Sequence, residues 1–137
     1  MAFQNPPDET IKAVLAMPQT VAVVGCSPNP ERDSHRIAKL LQARGHRVIP
    51  VNPGHRSILG ETCYANLCDI PERVDMVDIF RRSDQVAPIV DEAIAVGAKI
   101  VWMQLGVIDE RAADKAREAG LTVVMDRCPA IEYRRLF

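Results

Sequence analysis

The residues best suited to chemistry follow a short apolar run, Thr20–Val24, that ends at a glycine. Where a buried strand turns into a helix, the backbone N–H groups of the turn and of the first helical residues can hold a phosphate. The residues placed to do this are Gly25, Cys26, Ser27 and Pro28, with Arg32 adding positive charge. The simpler alternative is that Gly25 only makes a tight turn between strand and helix.

A second group follows the next apolar run and discriminates between nucleotides. This group is Asn52, Pro53, Gly54, His55 and Arg56. A fold that binds NAD places an acidic residue here, which accepts hydrogen bonds from the ribose hydroxyls, and has three glycines in its first turn. This chain has amide and basic residues and one glycine. The pattern therefore favours a phosphorylated ribose, as in NADP or coenzyme A, unless His55 and Arg56 are merely solvated loop residues.

A third group, Arg81 and Arg82, follows a third apolar run. Ligands of open parallel sheets bind outside the carboxyl ends of the strands, beside the first strand. We expect the two arginines to converge there on the same corner as the basic loop, which strengthens the phosphate interpretation.

Five strands must position these groups. They are predicted at 20–24, 47–51, 76–80, 99–103 and 121–125. Helices are expected between them, except in the irregular stretch Gly54 to Arg73, where a short helical turn is expected around Asn66 to Pro71. Because the runs are continuously apolar, the strands are expected to be buried on both faces, which is typical of parallel sheets. The sequence thus predicts an α/β fold, a Rossmann-like doubly wound parallel five-stranded sheet of order 3-2-1-4-5, with helices on both faces. Residues 1–137 are expected to form one domain, with 1–18 as an N-terminal helical extension in which Asp8 caps the helix.

Charge and composition argue against several classes of function. A net charge of −1 over 137 residues provides no broad basic surface for nucleic acid or for an anionic membrane. No apolar run approaches the roughly 18 residues that span a bilayer, and the polar, acidic N-terminus favours a cytoplasmic protein. The cysteines, Cys26, Cys63, Cys68 and Cys128, lack the paired spacing of a metal site, so free thiols and no metal are expected.

Four segments together resemble a known family. They are Val21-Ala-Val-Val-Gly-Cys-Ser27, Val51-Asn-Pro-Gly54, Val101-Trp-Met-Gln-Leu-Gly-Val107 and Asp126-Arg-Cys-Pro-Ala-Ile-Glu-Tyr133. In this order they look like the small stand-alone coenzyme A-binding proteins, which are similar to the N-terminal domain of the succinyl-CoA synthetase α subunit. The resemblance covers nearly the whole chain after the N-terminal helix, and it implies coenzyme A as the ligand.

The resemblance also implies roles for individual residues. Gly25 to Pro28 match the loop that holds the pyrophosphate. Pro53, Gly54 and His55 fall where the synthetase has a Pro-Gly-Lys segment near the adenosine end, with His55 in place of the lysine and Arg56 as a compensating charge. Gln104, Leu105 and Gly106 match the loop near the pantetheine. The histidines, His35, His46 and His55, do not match the histidine that the synthetase phosphorylates, so its ligase chemistry is not expected.

The sequence therefore indicates a module that binds coenzyme A or an acyl-CoA, regulatory or carrier-like, without an evident catalytic set. Cys26 and Ser27 lie in the right loop for a nucleophile, but neither has an obvious base. The alternatives are an NADP-linked oxidoreductase and a non-catalytic interaction subunit with a vestigial nucleotide pocket. A separate hypothesis is a mixed disulfide between the coenzyme thiol and Cys26 or Cys128. A homodimer through the N-terminal or the last helix is compatible with the sequence.

Overall fold

A sheet of five parallel strands forms the centre of the computed structural model, which describes residues 3–137. Its order is β2-β1-β5-β6-β7, and β3 and β4 form a separate hairpin. The strands are β1 (Thr20–Val24), β2 (Arg47–Val51), β3 (Ser57–Ile58), β4 (Glu61–Thr62), β5 (Met76–Ile79), β6 (Ile100–Gln104) and β7 (Thr122–Arg127). The helices are α1 (Asp8–Ala16), α2 (Asp33–Ala43), α3 (Val86–Ala95), α4 (Glu110–Glu118) and α5 (Pro129–Leu136).

Helices cover both faces of the sheet, as predicted. In β1, Ala22 and Val24 pack into one apolar cluster, which takes its helical residues from α3 and α4. Val21 and Val23 pack into the opposite cluster with residues of α1, α2 and α5. Alternate residues of one strand are thus buried on opposite faces, which explains the continuous apolar runs. In the part of the chain that the structure describes, no helix combines the length and apolar character needed to cross a membrane.

The predicted order 3-2-1-4-5 holds with a different segment in the third position. The strand expected there, β5, pairs with β1 and not with β2. The edge beyond β2 is taken by the segment around Tyr64, which forms a single parallel bridge with Val51. The Tyr64 N–H donates to the Pro50 carbonyl over 3.1 Å. Counting this segment as the third strand gives the order 3-2-1-4-5-6, which is the expected pattern with one strand added. Arg81, after β5, then lies on the side of β1 away from β2.

The N-terminal segment packs against the last helix. The helix begins at Asp8, one residue earlier than expected, and its capping position is Pro7, so the expectation that Asp8 caps it is wrong. Asp8 instead accepts two hydrogen bonds from the Arg135 guanidinium, over 2.7 and 2.8 Å, and these lower the pKa of its carboxyl. Nearer the N-terminus, Asn5 makes two bonds to Met125 in β7. Its Oδ1 accepts from the Met125 N–H over 2.7 Å, and its Nδ2 donates to the Met125 carbonyl over 2.9 Å.

A buried polar chain joins α1, α5 and the start of β2. The Gln19 N–H donates to His46 Nδ1 over 3.1 Å, which leaves the ring proton on Nε2. Nε2 then donates to the Tyr133 hydroxyl over 2.7 Å, and that hydroxyl donates to the Leu15 carbonyl over 3.0 Å. Burial lowers the pKa of His46, in keeping with a neutral ring.

Candidate functional site

A groove runs along the carboxyl ends of the strands and consists of two adjoining clefts; we call it the edge groove. Its polar half, about 480 Å³, is lined by Gly25, Ser27, Pro28, Arg32, Asp33, Ser34, Asn52, His55, Phe80 and Arg81. Its apolar half, about 490 Å³, is lined by Asp33, Arg36, Ile37, Phe80, Arg81, Arg82, Gln104, Leu105, Val107 and Cys128. Asp33, Phe80 and Arg81 line both clefts, so the two halves are contiguous and share these residues as a common wall.

Gly25 brings β1 and β5 together at the floor of the polar half. Its φ of +86° lies in the left-handed region, and a Cβ added there would lie 2.2 Å from the Phe80 carbonyl oxygen. No side chain fits at that distance, and the conformation itself favours glycine. The turn therefore accounts for the glycine. Its N–H donates to the Val51 carbonyl over 2.8 Å, so a phosphate in the polar half would be held by neighbouring residues.

The loop after β1 is ordered by its own hydrogen bonds. The Ser27 N–H donates to Ser34 Oγ over 3.0 Å, and Ser27 Oγ accepts from the Asn29 N–H over 3.0 Å. Asn52, at the end of β2, donates from Nδ2 to the Cys26 carbonyl over 2.8 Å. The N–H of Ser27 is therefore already engaged. The side chain of Arg32 does not cap α2, so the first N–H groups of α2 are the donors left beside the polar half.

Positive charge dominates the polar half. Arg32 and Arg81 make no ion pair with any residue in the described range. The acid in the wall, Asp33, pairs with Arg36. Two arginines without counter-charges thus face the polar half, which suits an anionic ligand.

The apolar half ends at the last strand. Phe80, Leu105 and Val107 form its apolar surface. Arg36, Arg81 and Arg82 also line it, and Arg82 pairs with Asp84 over 3.4 Å. Gln104 is 7% exposed, and its Oε1 has no hydrogen-bond partner among the described residues. A buried amide oxygen without a donor costs free energy unless a ligand supplies one.

The structure separates the residues predicted for the site into two groups. Those that line the edge groove are Gly25, Ser27, Pro28, Arg32, Asn52, His55, Arg81, Arg82, Gln104 and Leu105. Those that do not line it are Cys26, Pro53, Gly54, Arg56 and Gly106. Cys26 contributes through its backbone, because its side chain is fully buried and burial raises the pKa of its thiol to about 12.

Sequence reasoning missed several lining residues. They are Asp33, Ser34 and Ile37 of α2, together with Phe80 and Val107. Phe80 could have been found from its place directly before Arg81 at a strand end. The α2 residues carry no such signal, because their access to the groove depends on how the helix packs against the sheet.

Two features of the described residues bear on the chemistry available near the groove. No group of three or more histidine, cysteine or acidic side chains within residues 3–137 is arranged to hold a metal ion. Asp78, in the middle of β5, is fully buried with neither carboxyl oxygen hydrogen-bonded, and it does not line the edge groove. Burial raises its pKa to about 8. The arrangement joins a cleft lined by Phe80, Leu105 and Val107 to a polar cleft that contains two arginines without ion pairs in the described range.

Comparison with known proteins agrees with this geometry. The sequence profile of a family described as "CoA binding domain" matches residues 19–134. The uncharacterized protein YneT of Bacillus subtilis is 38% identical over 131 residues, which are 96% of this chain and 97% of YneT. The structure of a hypothetical protein from Pyrococcus horikoshii OT3 superposes with a TM-score of 0.91 at 39% identity and covers 99% of both chains.

A longer relative contains the same unit as one part. The ADP-forming acetate–CoA ligase I of Archaeoglobus fulgidus is 30% identical over 124 residues, which are 83% of this chain but 18% of the ligase. The chain therefore spans nearly the full length of YneT and less than a fifth of the ligase.

Proposed function

The chain belongs to the CoA-binding domain family, and from this premise we propose that its edge groove binds coenzyme A or an acyl-CoA. The observation that carries the proposal is the division of one continuous groove into a cationic polar half and an apolar half. Coenzyme A has the same division, because a phosphorylated nucleotide is joined through a pyrophosphate to a long, weakly polar pantetheine arm. The nucleotide would occupy the polar half and the arm the apolar half.

Arg81 has a central place in this proposal. It belongs to the wall between the halves and makes no ion pair in the described range, so its guanidinium is available at the junction where the pyrophosphate would lie. Arg32 and His55, in the polar half, are then candidates for the ribose phosphate. The proposed role is that of a regulatory or carrier-like module that holds the coenzyme in this groove.

Titration calorimetry with coenzyme A, dephospho-coenzyme A and NADP tests the ligand. We expect coenzyme A to bind tightest and the loss of the 3′-phosphate to weaken binding about tenfold, the effect of one charge-assisted contact. Tighter binding of NADP would favour the oxidoreductase alternative. Binding of none of the three would favour an interaction subunit with a vestigial pocket.

Substitution of Arg81 tests the site. Arg81→Ala should weaken coenzyme A binding about tenfold, because a guanidinium–phosphate contact is lost at the junction of the halves. The matched control is Arg73→Ala, since Arg73 is exposed, pairs with Asp75 over 3.8 Å and does not line the groove. Equal affinities of the two variants would place the pyrophosphate elsewhere.

A partner subunit is a second candidate, favoured by one observation. The acetate–CoA ligase I of Archaeoglobus fulgidus carries the corresponding unit as 18% of its length. This chain would then supply bound coenzyme to catalytic domains on a separate polypeptide. Co-purification of a larger protein, released or retained according to added coenzyme A, would support this function.

A further inference from the structure

We propose that Cys128 is a site of reversible modification by oxidised coenzyme A, through a mixed disulfide formed in the apolar half of the edge groove. The inference rests on the proposed function and adds to it a reaction at the thiol end of the ligand. Whether Cys128 is modified would then depend on the proportion of the coenzyme that is oxidised.

Cys128 lies where the thiol of a bound coenzyme would end. It follows β7 directly, precedes α5 with Pro129 at the first helical position, and lines the apolar half, partly buried. The backbone before it is fixed, because Trp102 Nε1 donates to the Arg127 carbonyl over 2.9 Å. An irregularity in the pairing of β6 and β7 sets this register, and Asp126 takes a left-handed φ of 60° within it.

Gln104 is the independent observation that indicates a ligand in this half. Its side chain is 7% exposed, lines the same cleft and carries an oxygen without a donor among the described residues. The pantetheine arm carries two amide N–H groups, and the last is separated from the sulfur by two methylene groups. A hydrogen bond from that N–H would satisfy Gln104 Oε1 and anchor the end of the arm.

The sheet register places this anchor beside the cysteine. Gln104 pairs with Arg127, the residue before Cys128. Adjacent strands lie about 4.8 Å apart, a distance comparable to the reach from the last amide of the arm to its sulfur. An amide held at Gln104 therefore brings the sulfur within reach of Cys128.

The other cysteines are not placed for this reaction. Cys26 and Cys63 are buried, and burial raises the pKa of both thiols. Cys68 is exposed but lies in the turn Leu67–Asp69 and does not line either half. Of the cysteines in the described residues, Cys128 is the one that lines the groove. Cys26, the other cysteine considered from the sequence, is therefore set aside.

The reaction is thiol–disulfide exchange with coenzyme A disulfide as the oxidant. The Cys128 thiol gives its proton to water, and the thiolate attacks one sulfur of the disulfide. A new bond forms between Cys128 Sγ and that sulfur while the bond between the two coenzyme sulfurs breaks. The electron pair leaves on the second coenzyme A as a thiolate, which takes up a proton from water. A dithiol reverses the step.

Intact-mass spectrometry under non-reducing conditions tests the inference. The reduced protein is incubated with coenzyme A disulfide and, in a parallel sample, with glutathione disulfide at equal concentration. We expect one coenzyme A adduct, located on Cys128 by peptide mapping and removed by dithiothreitol. Because nucleotide binding raises the local concentration of the disulfide, the adduct should form about tenfold or more faster than with glutathione disulfide.

Three variants and one binding measurement separate the outcomes. Cys128→Ser should lose the adduct and Cys68→Ser should keep it. Arg81→Ala should lower the ratio of the two rates. If calorimetry shows that the reduced protein binds coenzyme A but Cys128 stays unmodified, or reacts equally with both disulfides, the inference is overturned and the proposed function stands. If coenzyme A does not bind at all, both are refuted.

Discussion

Gly25 determines how closely the two central strands approach at the site. Its left-handed φ and the 2.2 Å distance between an added Cβ and the Phe80 carbonyl oxygen are separate constraints on one residue. The sequence shows a glycine at the end of β1, but only the packing shows that the carbonyl of Phe80 leaves no room for a side chain there. The other glycines along this edge, Gly54 and Gly106, have nothing within 4 Å of an added Cβ, so Gly25 is the one that the close approach of two strands requires.

Replacing Gly25 tests these constraints. Gly25→Ala should lower the free energy of unfolding by about 3 kcal/mol, since a strained φ and an overpacked contact add together. Gly54→Ala is the matched control, because Gly54 has a φ of +88° with nothing within 4 Å of an added Cβ. It should lose about 1 kcal/mol, the conformational part alone. Urea unfolding measures both, and equal losses would show that the Phe80 contact carries no energy.

At the scale of elements, β5 carries a buried acid through the middle of the sheet. Asp78 pairs in register with Val23 of β1 and Trp102 of β6, and its carboxyl has no hydrogen-bond partner in residues 3–137. An ionised carboxylate in such a place is strongly disfavoured, so burial raises its pKa from 3.8 to about 8. The folded protein therefore holds Asp78 in its neutral form at neutral pH.

This acid should make stability depend on pH. The folded state keeps the proton on Asp78 up to about pH 8, whereas the unfolded chain releases it near pH 3.8. Because the folded state binds more protons across that interval, stability falls as the pH rises through it and levels off above it. Urea unfolding from pH 4 to 9 measures the slope. Asp78→Asn should flatten it, and parallel curves for the two proteins would contradict the assignment.

The regular elements could be predicted because their signals are local. Continuous apolar runs indicated the five strands, and the family resemblance is confirmed by the match over residues 19–134. The hairpin β3–β4 was missed because Leu59, at φ 54° in its turn, is not a residue type that signals a left-handed turn. The place of β5 was missed because the competing edge segment is a single bridge at Tyr64.

The site was harder to predict than the fold for the same reason. Gln104 and Arg81 could be named because each follows a strand. Ile37 and Arg36 lie on a helix that reaches the groove only through tertiary packing.

At the scale of the whole molecule, a series of hydrogen bonds from Gln19 through His46 and Tyr133 to Leu15 joins three distant parts of the sequence. Each of its polar groups has a partner: three donors and three acceptors meet within 3.1 Å. It ties α1, which lies outside the family match, to the elements inside it. The N-terminal helix is thus held by specific bonds as well as by its apolar face.

Removing one hydroxyl tests this connection. Tyr133→Phe should lower the free energy of unfolding by about 1–3 kcal/mol, because the His46 Nε2–H and the Leu15 carbonyl lose their partners in the interior. Tyr64→Phe is the control, since the Tyr64 hydroxyl makes no hydrogen bond among the described residues and its side chain is only partly buried. Thermal unfolding of both variants measures the difference in stability. If the Tyr133→Phe protein is as stable as Tyr64→Phe, the hydrogen bonds through Tyr133 make no net contribution to stability.

The two bonds between Asn5 and Met125 have a consequence for how copies of this protein meet. β7 is an outer strand of the sheet, and an unpaired outer strand is a template for edge-to-edge aggregation. Asn5 occupies both the donor and the acceptor of Met125 that an incoming strand would need. At the opposite side, backbone bonds join Tyr64 to β2: its N–H donates to the Pro50 carbonyl and its carbonyl accepts from the Asn52 N–H. The chain's own residues thus occupy part of each outer strand, which disfavours the pairing of a strand from another copy at those positions.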